Sequence, residues 1–229
     1  MLELKNISFS YGNHSVLENL LLEIKPGKIH GLIGLNGEGK TTLLNLLVGR
    51  LQPDSGNLFW NNEKLQFKMI GFLETETYFF PQITAKEFLQ IFRFKNPEFD
   101  FESWNLIFQL PLNELIESFS AGMKKKLALI SLMSLNVPIL LLDEPFNNLD
   151  LETSLILEKL LIQLKTSGKT ILMTSHILDT LVETCDEIHH LTGKKISRTY
   201  AKNEFGEIRE TLISGKIESS EVQMKSLIK

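Results

Sequence analysis

Gly34, Gly39, Lys40 and Thr41 stand in the spacing G-x-x-x-x-G-K-T, and few folds can use that spacing. Three glycines within six residues make a poor strand and a poor helix, so the segment is a loop. Before it, Ile29 to Ile33 is a short apolar run of strand character. After it, Thr41 to Val48 places Leu43, Leu44, Leu46 and Leu47 on one apolar helical face, closed by Gly49. Strand, glycine-rich loop and helix in that order aim free N–H groups and the positive end of a helix dipole at one point, which favours an anion. The side chains suit a phosphate chain. Asn36, Gly37, Glu38 and Gly39 wrap it with backbone N–H groups, and Lys40 reaches its β- and γ-phosphates. Thr41, followed by Thr42, offers a hydroxyl to Mg²⁺, a hard cation that prefers oxygen.

The flanking pattern predicts an α/β fold. Leu2, Leu4, Ile7 and Phe9 alternate with polar residues, and a second patterned stretch runs from Val16 to Ile24. These read as antiparallel strands joined around Gly12 to His14. Asn57 to Trp60 and Lys68 to Leu73 read as further strands. From Thr84 to about Leu135 the pattern is mostly helical, interrupted at Asn96-Pro97 and Leu110-Pro111. Val137 to Leu142 and Thr170 to Thr174 are apolar runs suited to strands buried on both faces. Helices are expected over Leu151 to Lys165 and Leu178 to Thr184, and the tail after Gly193 is weakly patterned. Strands alternating with helices imply a largely parallel sheet, with the early hairpin forming an antiparallel part beside it.

The strand ending at Leu142 delivers two carboxylates, Asp143 and Glu144, at its C-terminal end, the edge where open α/β sheets bind ligands. Asp143 is expected to hold Mg²⁺ and Glu144 to polarise a water that attacks the γ-phosphate. Adjacent strand residues point to opposite sides, so both roles require the strand to end here, which Pro145 favours.

Composition excludes several classes. A net charge of −4 disfavours non-specific nucleic-acid binding, and no nucleic-acid partner is expected. The single cysteine, Cys185, cannot form an internal disulfide and reads as a small buried hydrophobe. No run approaches the roughly 18–20 apolar residues of a membrane span, and the N-terminus has no secretory apolar stretch. The chain is expected to be soluble, with any membrane contact made through a partner.

Three segments together resemble one family. The phosphate loop, Phe119 to Lys126 with Ser120-Ala-Gly122 at its head, and Leu141-Leu-Asp-Glu-Pro145 are similar to the ABC ATPases, and the order Lys40, Ser120, Asp143, His176 matches. The resemblance runs from about residue 2 to about residue 197. It implies a P-loop NTPase core with a mostly parallel central sheet, an antiparallel β subdomain and an inserted helical subdomain. The expected division is 1–74 with 137–197 as core, 75–136 as the helical insertion and 198–229 as a C-terminal extension. It also implies that Tyr11 stacks on adenine, where the residues alone allow a core aromatic. Ser120 and Gly122 would contact the γ-phosphate of ATP on an opposing subunit, and Ser120 would equally serve as a helix N-cap. Asp150 would communicate across the dimer or cap the next helix. His176 would contact the γ-phosphate, so that the catalytic set is Lys40, Glu144 and His176. The cofactors implied are ATP and Mg²⁺. The partners implied are a second cassette, identical or similar, and a membrane permease on a separate chain. That places the protein in the cytoplasm, at the inner face of the cell membrane.

The sequence departs from the family at two places. The family usually carries glutamine where the register with Ile83-Thr84 places Thr75, so Thr75 becomes the candidate third oxygen for Mg²⁺. Ala121 replaces the first signature glycine. The segment Ser-Ala-Gly-Met-Lys resembles exporter-type, ABC-2-like cassettes, and the expected function is an ATP-hydrolysing transport subunit engaged in export. The alternatives are a non-transport regulatory ABC ATPase and a nucleotide-dependent switch with little hydrolysis. Lys124 to Lys126 read as a solvated helix face, and Phe88, Phe92, Phe94 and Phe108 as core or as a groove for a permease helix.

Overall fold

The computed structural model describes residues 1–93 and 96–208, so the expectations on Phe94 and on residues 209–229 of the extension lie outside the described residues. Two sheets organise the chain. In the first, β1 (Leu2–Tyr11) is flanked by β2 (His14–Ile24) and β4 (Ser55–Trp60), with the short β5 (Glu63–Lys64) beyond; every pairing is antiparallel. In the second, β6 (Ile70–Leu73), β7 (Ile139–Leu142), β8 (Thr170–Thr174), β3 (Ile29–Ile33) and β9 (Glu187–Thr192) run parallel, and β10 (Lys195–Ala201) closes the edge antiparallel to β9.

Every residue of β3, β7 and β8 is buried, which explains why these segments read as continuous apolar runs rather than alternations. One face of the central sheet, with Leu32, Leu141 and Leu172, packs with α1 (Lys40–Leu47) and the antiparallel sheet. The other face, with Ile29, Leu140 and Met173, packs with the remaining helices. Those helices are α2 (Ala85–Arg93), α3 (Phe101–Phe108), α4 (Ala121–Ser134), α5 (Leu151–Thr166) and α6 (Leu178–Thr184). The first two start on local caps. Glu87 accepts from the N–H and hydroxyl of Thr84, both at 2.8 Å, and Asp100 accepts from Ser103 N–H at 3.0 Å. Phe79, Phe88 and Phe92 stack edge to face, and Phe88 and Phe108 are buried, so these rings build core rather than an open groove.

The structure corrects the sequence reading near the C-terminus. β10 runs to Ala201 in the tail after Gly193 that reads as weakly patterned, and it forms a hairpin with β9, where no element was expected. β9 escaped detection because it buries Glu187, His189 and His190, which break any apolar pattern. Its turn is legible afterwards: Gly193 and Lys194 both have positive φ, as a two-residue hairpin turn requires. The strand expected from Lys68 begins only at Ile70, because Phe67–Met69 is a 3-10 turn.

Candidate nucleotide site

Four parallel strands end on one edge: β3 into the phosphate loop, β6 into Glu74 and Thr75, β7 into Asp143 and Glu144, and β8 into Ser175 and His176. The edge is therefore assembled from segments far apart in sequence. The phosphate loop leaves β3 at Gly34, where a Cβ would sit 2.4 Å from the carbonyl oxygen of Leu191, so only glycine fits beside β9. At the other end Gly39 caps α1 with φ 100°, a conformation closed to most side chains. Between them, Glu38 turns its carboxylate away to the β9–β10 turn, accepting from Gly193 N–H at 3.0 Å, as expected of an acid that must not face phosphate. Lys40 folds across the loop and donates to the carbonyls of Gly34 (2.7 Å) and Leu35 (3.2 Å). Burial pushes its pKa down, against the pull of Glu144, Asp143 and Glu38.

Asp143 is 4% exposed and accepts one hydroxyl at each oxygen: Thr41 Oγ1 donates to Oδ2 (3.2 Å) and Thr174 Oγ1 to Oδ1 (2.6 Å). Thr41 and Asp143 thus place two oxygens on one point at the loop, a donor set that fits a hard cation. Glu144 has φ 48°, the left-handed region uncommon for a non-glycine residue. That turn ends the strand alternation and lets Glu144 share the edge with Asp143 instead of pointing away. Its polar groups are tied down: the N–H donates to Thr174 Oγ1 (2.9 Å), while carboxylate Oε2 lies 2.9 Å from His176 Nδ1 and 3.3 Å from His176 N. Thr174, which the sequence reading saw only as a strand end, is therefore the hub that orients both acids.

Lys40, Thr41, Asp143 and Glu144 border an open cleft of about 460 Å³ together with Tyr11, Asn36, Gly37 and Thr75; Glu38 and His176 are not among its lining residues. His14 and Val16 complete its wall and were not anticipated. Tyr11 is half exposed and stands edge-on to Phe9, so it is not the core aromatic that the residues alone allowed. A larger cleft of about 730 Å³, lined by Phe67, Asn96 and Asn136 among others, has no acidic residue and a single lysine among the described residues, so chemistry rather than size singles out the first cleft as the candidate site.

A family profile described as ABC transporter matches residues 17–147, more than half of the chain. The chain belongs to the ABC transporter family. It is 28% identical over 216 residues to the ABC transporter ATP-binding protein YtrB of Bacillus subtilis (strain 168), covering 90% of this chain and 74% of that one. The fold superposes with a TM-score of 0.84 and 25% identity on a structure described as the ATP-binding subunit of an ABC transporter, covering 98% and 99% of the two chains. It also superposes, with a TM-score of 0.78 and 25% identity over 88% of this chain and 99% of the other, on the ATP-binding cassette MJ0796 in a dimeric post-hydrolysis state bound to ADP and Pi. Within the family this chain is an ATP-binding subunit.

The remaining predicted site residues of the ABC subunit lie apart from its cleft. Ser120 caps α4, its hydroxyl accepting from Met123 N–H at 3.2 Å, and Asp150 caps α5, accepting from Thr153 N–H at 2.7 Å. Gly122 abuts the loop before α5, where a Cβ would come within 2.8 Å of Asn148 O. Both capping roles allowed by the sequence are present, and neither Ser120 nor Gly122 faces the phosphate loop of its own chain.

The lysine run corrects another expectation. Lys125 is 4% exposed, not solvated, and its ammonium donates to the carbonyls of Glu74 (3.1 Å), Thr75 (3.0 Å) and Glu144 (3.5 Å). Away from the cleft, His30, Glu187 and His189 bring three possible metal ligands together. The two imidazoles are near-coplanar (13°), and Nδ1 of His30 lies 3.0 Å from Nε2 of His189. Their lone-pair axes face each other along one N–H···N bond, whereas two ligands of a tetrahedral ion must converge on a point off that line. The two histidines form a hydrogen-bond chain from Lys25 O to Thr199, while Glu187 is taken up by Lys25 and Lys28. Lys25 O requires a proton on His30 Nε2, so His189 donates to His30 and accepts from Thr199 Oγ1 (2.9 Å).

Proposed function

We propose that this ABC subunit hydrolyses ATP and uses the cycle to drive a membrane permease carried on a separate chain. The observation that carries the reading is Glu144, turned out of its strand by its positive φ into the cleft that holds Lys40 and tied through one carboxylate oxygen to His176. In this reading Tyr11 stacks on adenine, and the amides of Asn36 to Gly39, with Thr42 at the helix start, cradle the phosphates. Lys40 exchanges its loop carbonyls for the β- and γ-phosphates. Glu144 Oε1, outside the two bonds made by Oε2, accepts a hydrogen bond from the attacking water and holds it in line with the γ-phosphate. His176 steadies Glu144 and contacts the γ-phosphate. Thr41 and Asp143, with Thr75 as a third oxygen, would hold Mg²⁺, which when bound neutralises charge between the β- and γ-phosphates.

Ser120 is exposed and does not line the cleft of its own chain, which supports a sandwich in which a second cassette, identical or similar, supplies that segment to ATP. Asp150, at the head of α5, would then face the partner. The proposed domain division is 1–74 and 137–197 as nucleotide core, 75–136 as the helical insertion and 198–229 as an extension, with β10 carrying the core sheet past that boundary to Ala201. Among the described residues no helix is long and apolar enough to cross a membrane, in keeping with a subunit held at the inner face of the membrane through its permease. Export is the direction that the Ser-Ala-Gly-Met-Lys segment favours.

The test is steady-state Mg-ATP hydrolysis against protein concentration, wild type beside Glu144→Gln. Turnover that rises faster than linearly and falls at least about a hundredfold in the variant, with ATP binding retained, is the expected result. Undiminished turnover in Glu144→Gln refutes the role given to that carboxylate.

A further inference from the structure

Lys125 does not line the nucleotide cleft, yet it is buried and its ammonium lies 3.5 Å from the carbonyl of Glu144, where the chain turns. It enters from the second turn of α4, the helix that Ser120 caps. Three carbonyl oxygens surround its three N–H donors. Two belong to Glu74 and Thr75, the segment leaving β6, and the third to Glu144, the residue leaving β7. One ammonium therefore ties the helical region, the Thr75 segment and the hydrolytic edge together. The tie matters most at Glu144, whose left-handed backbone has to be over-determined by its surroundings to persist. Thr174 holds the Glu144 N–H and His176 the carboxylate; Lys125 holds the carbonyl. An ammonium bonded to carbonyls makes charge-assisted bonds, stronger than neutral ones; those to Glu74 and Thr75 are of ordinary length, and the one to Glu144, at 3.5 Å, is the longest of the three.

We propose that Lys125 is a positioning residue for hydrolysis: it locks the Glu144 backbone to the Glu74–Thr75 segment, so that a shift of α4 moves both together. Thr75 stands where a longer polar side chain would reach the nucleotide, and here the backbone of that segment, gripped by Lys125, carries the connection instead. This inference rests on the hydrolytic reading of Glu144. It differs from that reading in assigning a mechanical role to a side chain that does not line the nucleotide cleft.

The test compares wild type, Lys125→Met and Lys125→Gln in three measurements: ATP affinity, turnover, and amide hydrogen exchange across residues 73–78 and 143–148. Methionine keeps the apolar stem and removes the donors; glutamine restores neutral donors at shorter reach. The expected result for Lys125→Met is unchanged ATP affinity, a fall in kcat on the order of tenfold or more, since ångström-scale misplacement of a reacting group costs up to about a hundredfold, and faster exchange in both segments together. Lys125→Gln recovers part of each. Measurements are made well below the melting temperature of each variant, so that unfolding does not enter. Faster exchange in neither segment, or in one alone, overturns the tie whatever the turnover does. Exchange that rises in both while kcat stays at the wild-type level overturns its role in hydrolysis. A wild type with no turnover, beside which Glu144→Gln is indistinguishable, sinks the hydrolytic reading itself, and the exchange result then decides the tie alone.

Discussion

Replacing Thr174 by valine removes one oxygen and almost no volume, and the structure assigns that oxygen two bonds. Its hydroxyl donates to the carboxylate of Asp143 at 2.6 Å and accepts the N–H of Glu144 at 2.9 Å, and the residue is fully buried. A bond to an ionised group contributes about 1.5–3 kcal/mol and a neutral one about 1 kcal/mol, and valine leaves both partners unsatisfied in the sheet edge. Recovered desolvation of the hydroxyl offsets part of the sum, so the expected loss is about 2–4 kcal/mol. With an m-value of roughly 3 kcal/mol/M for a chain of this size, the urea midpoint falls by about 1 M. Turnover falls as well, because the Glu144 N–H bond is one of the restraints on its left-handed backbone. Thr174→Ser, which keeps the hydroxyl and loses a methyl, recovers most of the turnover and is destabilised by about 1 kcal/mol. Urea denaturation followed by circular dichroism, with Mg-ATP hydrolysis on the same samples, reads both effects. A valine variant within about 0.5 kcal/mol of wild type, or a serine variant as damaged as valine, refutes the assignment of Thr174 as the hub of the two acids.

Two further perturbations test other parts of the frame. Gly34→Ala places a Cβ 2.4 Å from the Leu191 carbonyl and forces β9 to move, at an expected cost of about 2–3 kcal/mol. Gly12→Ala, with φ 57° and open space around it, costs only about 1 kcal/mol of backbone strain, and thermal melts of the two variants should differ accordingly. Acid stability should also report the buried imidazoles. Burial pushes His189 down to about 3, with the charge of His30 acting in the same direction, while an unfolded histidine titrates near 6.5. The unfolded chain takes up the proton first, so this contribution is intact above about pH 6.5 and is lost progressively as pH falls toward 3. At pH 5 the loss is about 2 kcal/mol. Denaturation midpoints measured from pH 7 to 5 should fall more steeply for wild type than for His189→Gln; parallel curves would mean that His189 does not carry the dependence.

Much of the site was legible before any fold was known, because its chemistry is written in contiguous residues. A loop that wraps phosphate needs glycines and a lysine at set spacing. A strand that presents acids at its end needs an apolar run followed by Asp143 and Glu144. Caps such as Ser120 and Asp150 are local by nature, since their partners lie three residues away. Tertiary structure decided what depends on residues distant in the chain. Lys125 and Thr174 carry no local mark of their roles: a lysine in a basic run and a threonine at a strand end become site residues only when β6, β7 and β8 align beside α4. The strand β9 was hidden for the complementary reason. Its polar residues are buried by partners that sequence does not bring near, with Lys25 and Lys28 on Glu187 and His30 on His189. Spacing along the chain specifies chemistry that one segment can perform alone; burial and long-range hydrogen bonding, which set the direction of Glu144 and the fate of each lysine, exist only once the segments meet.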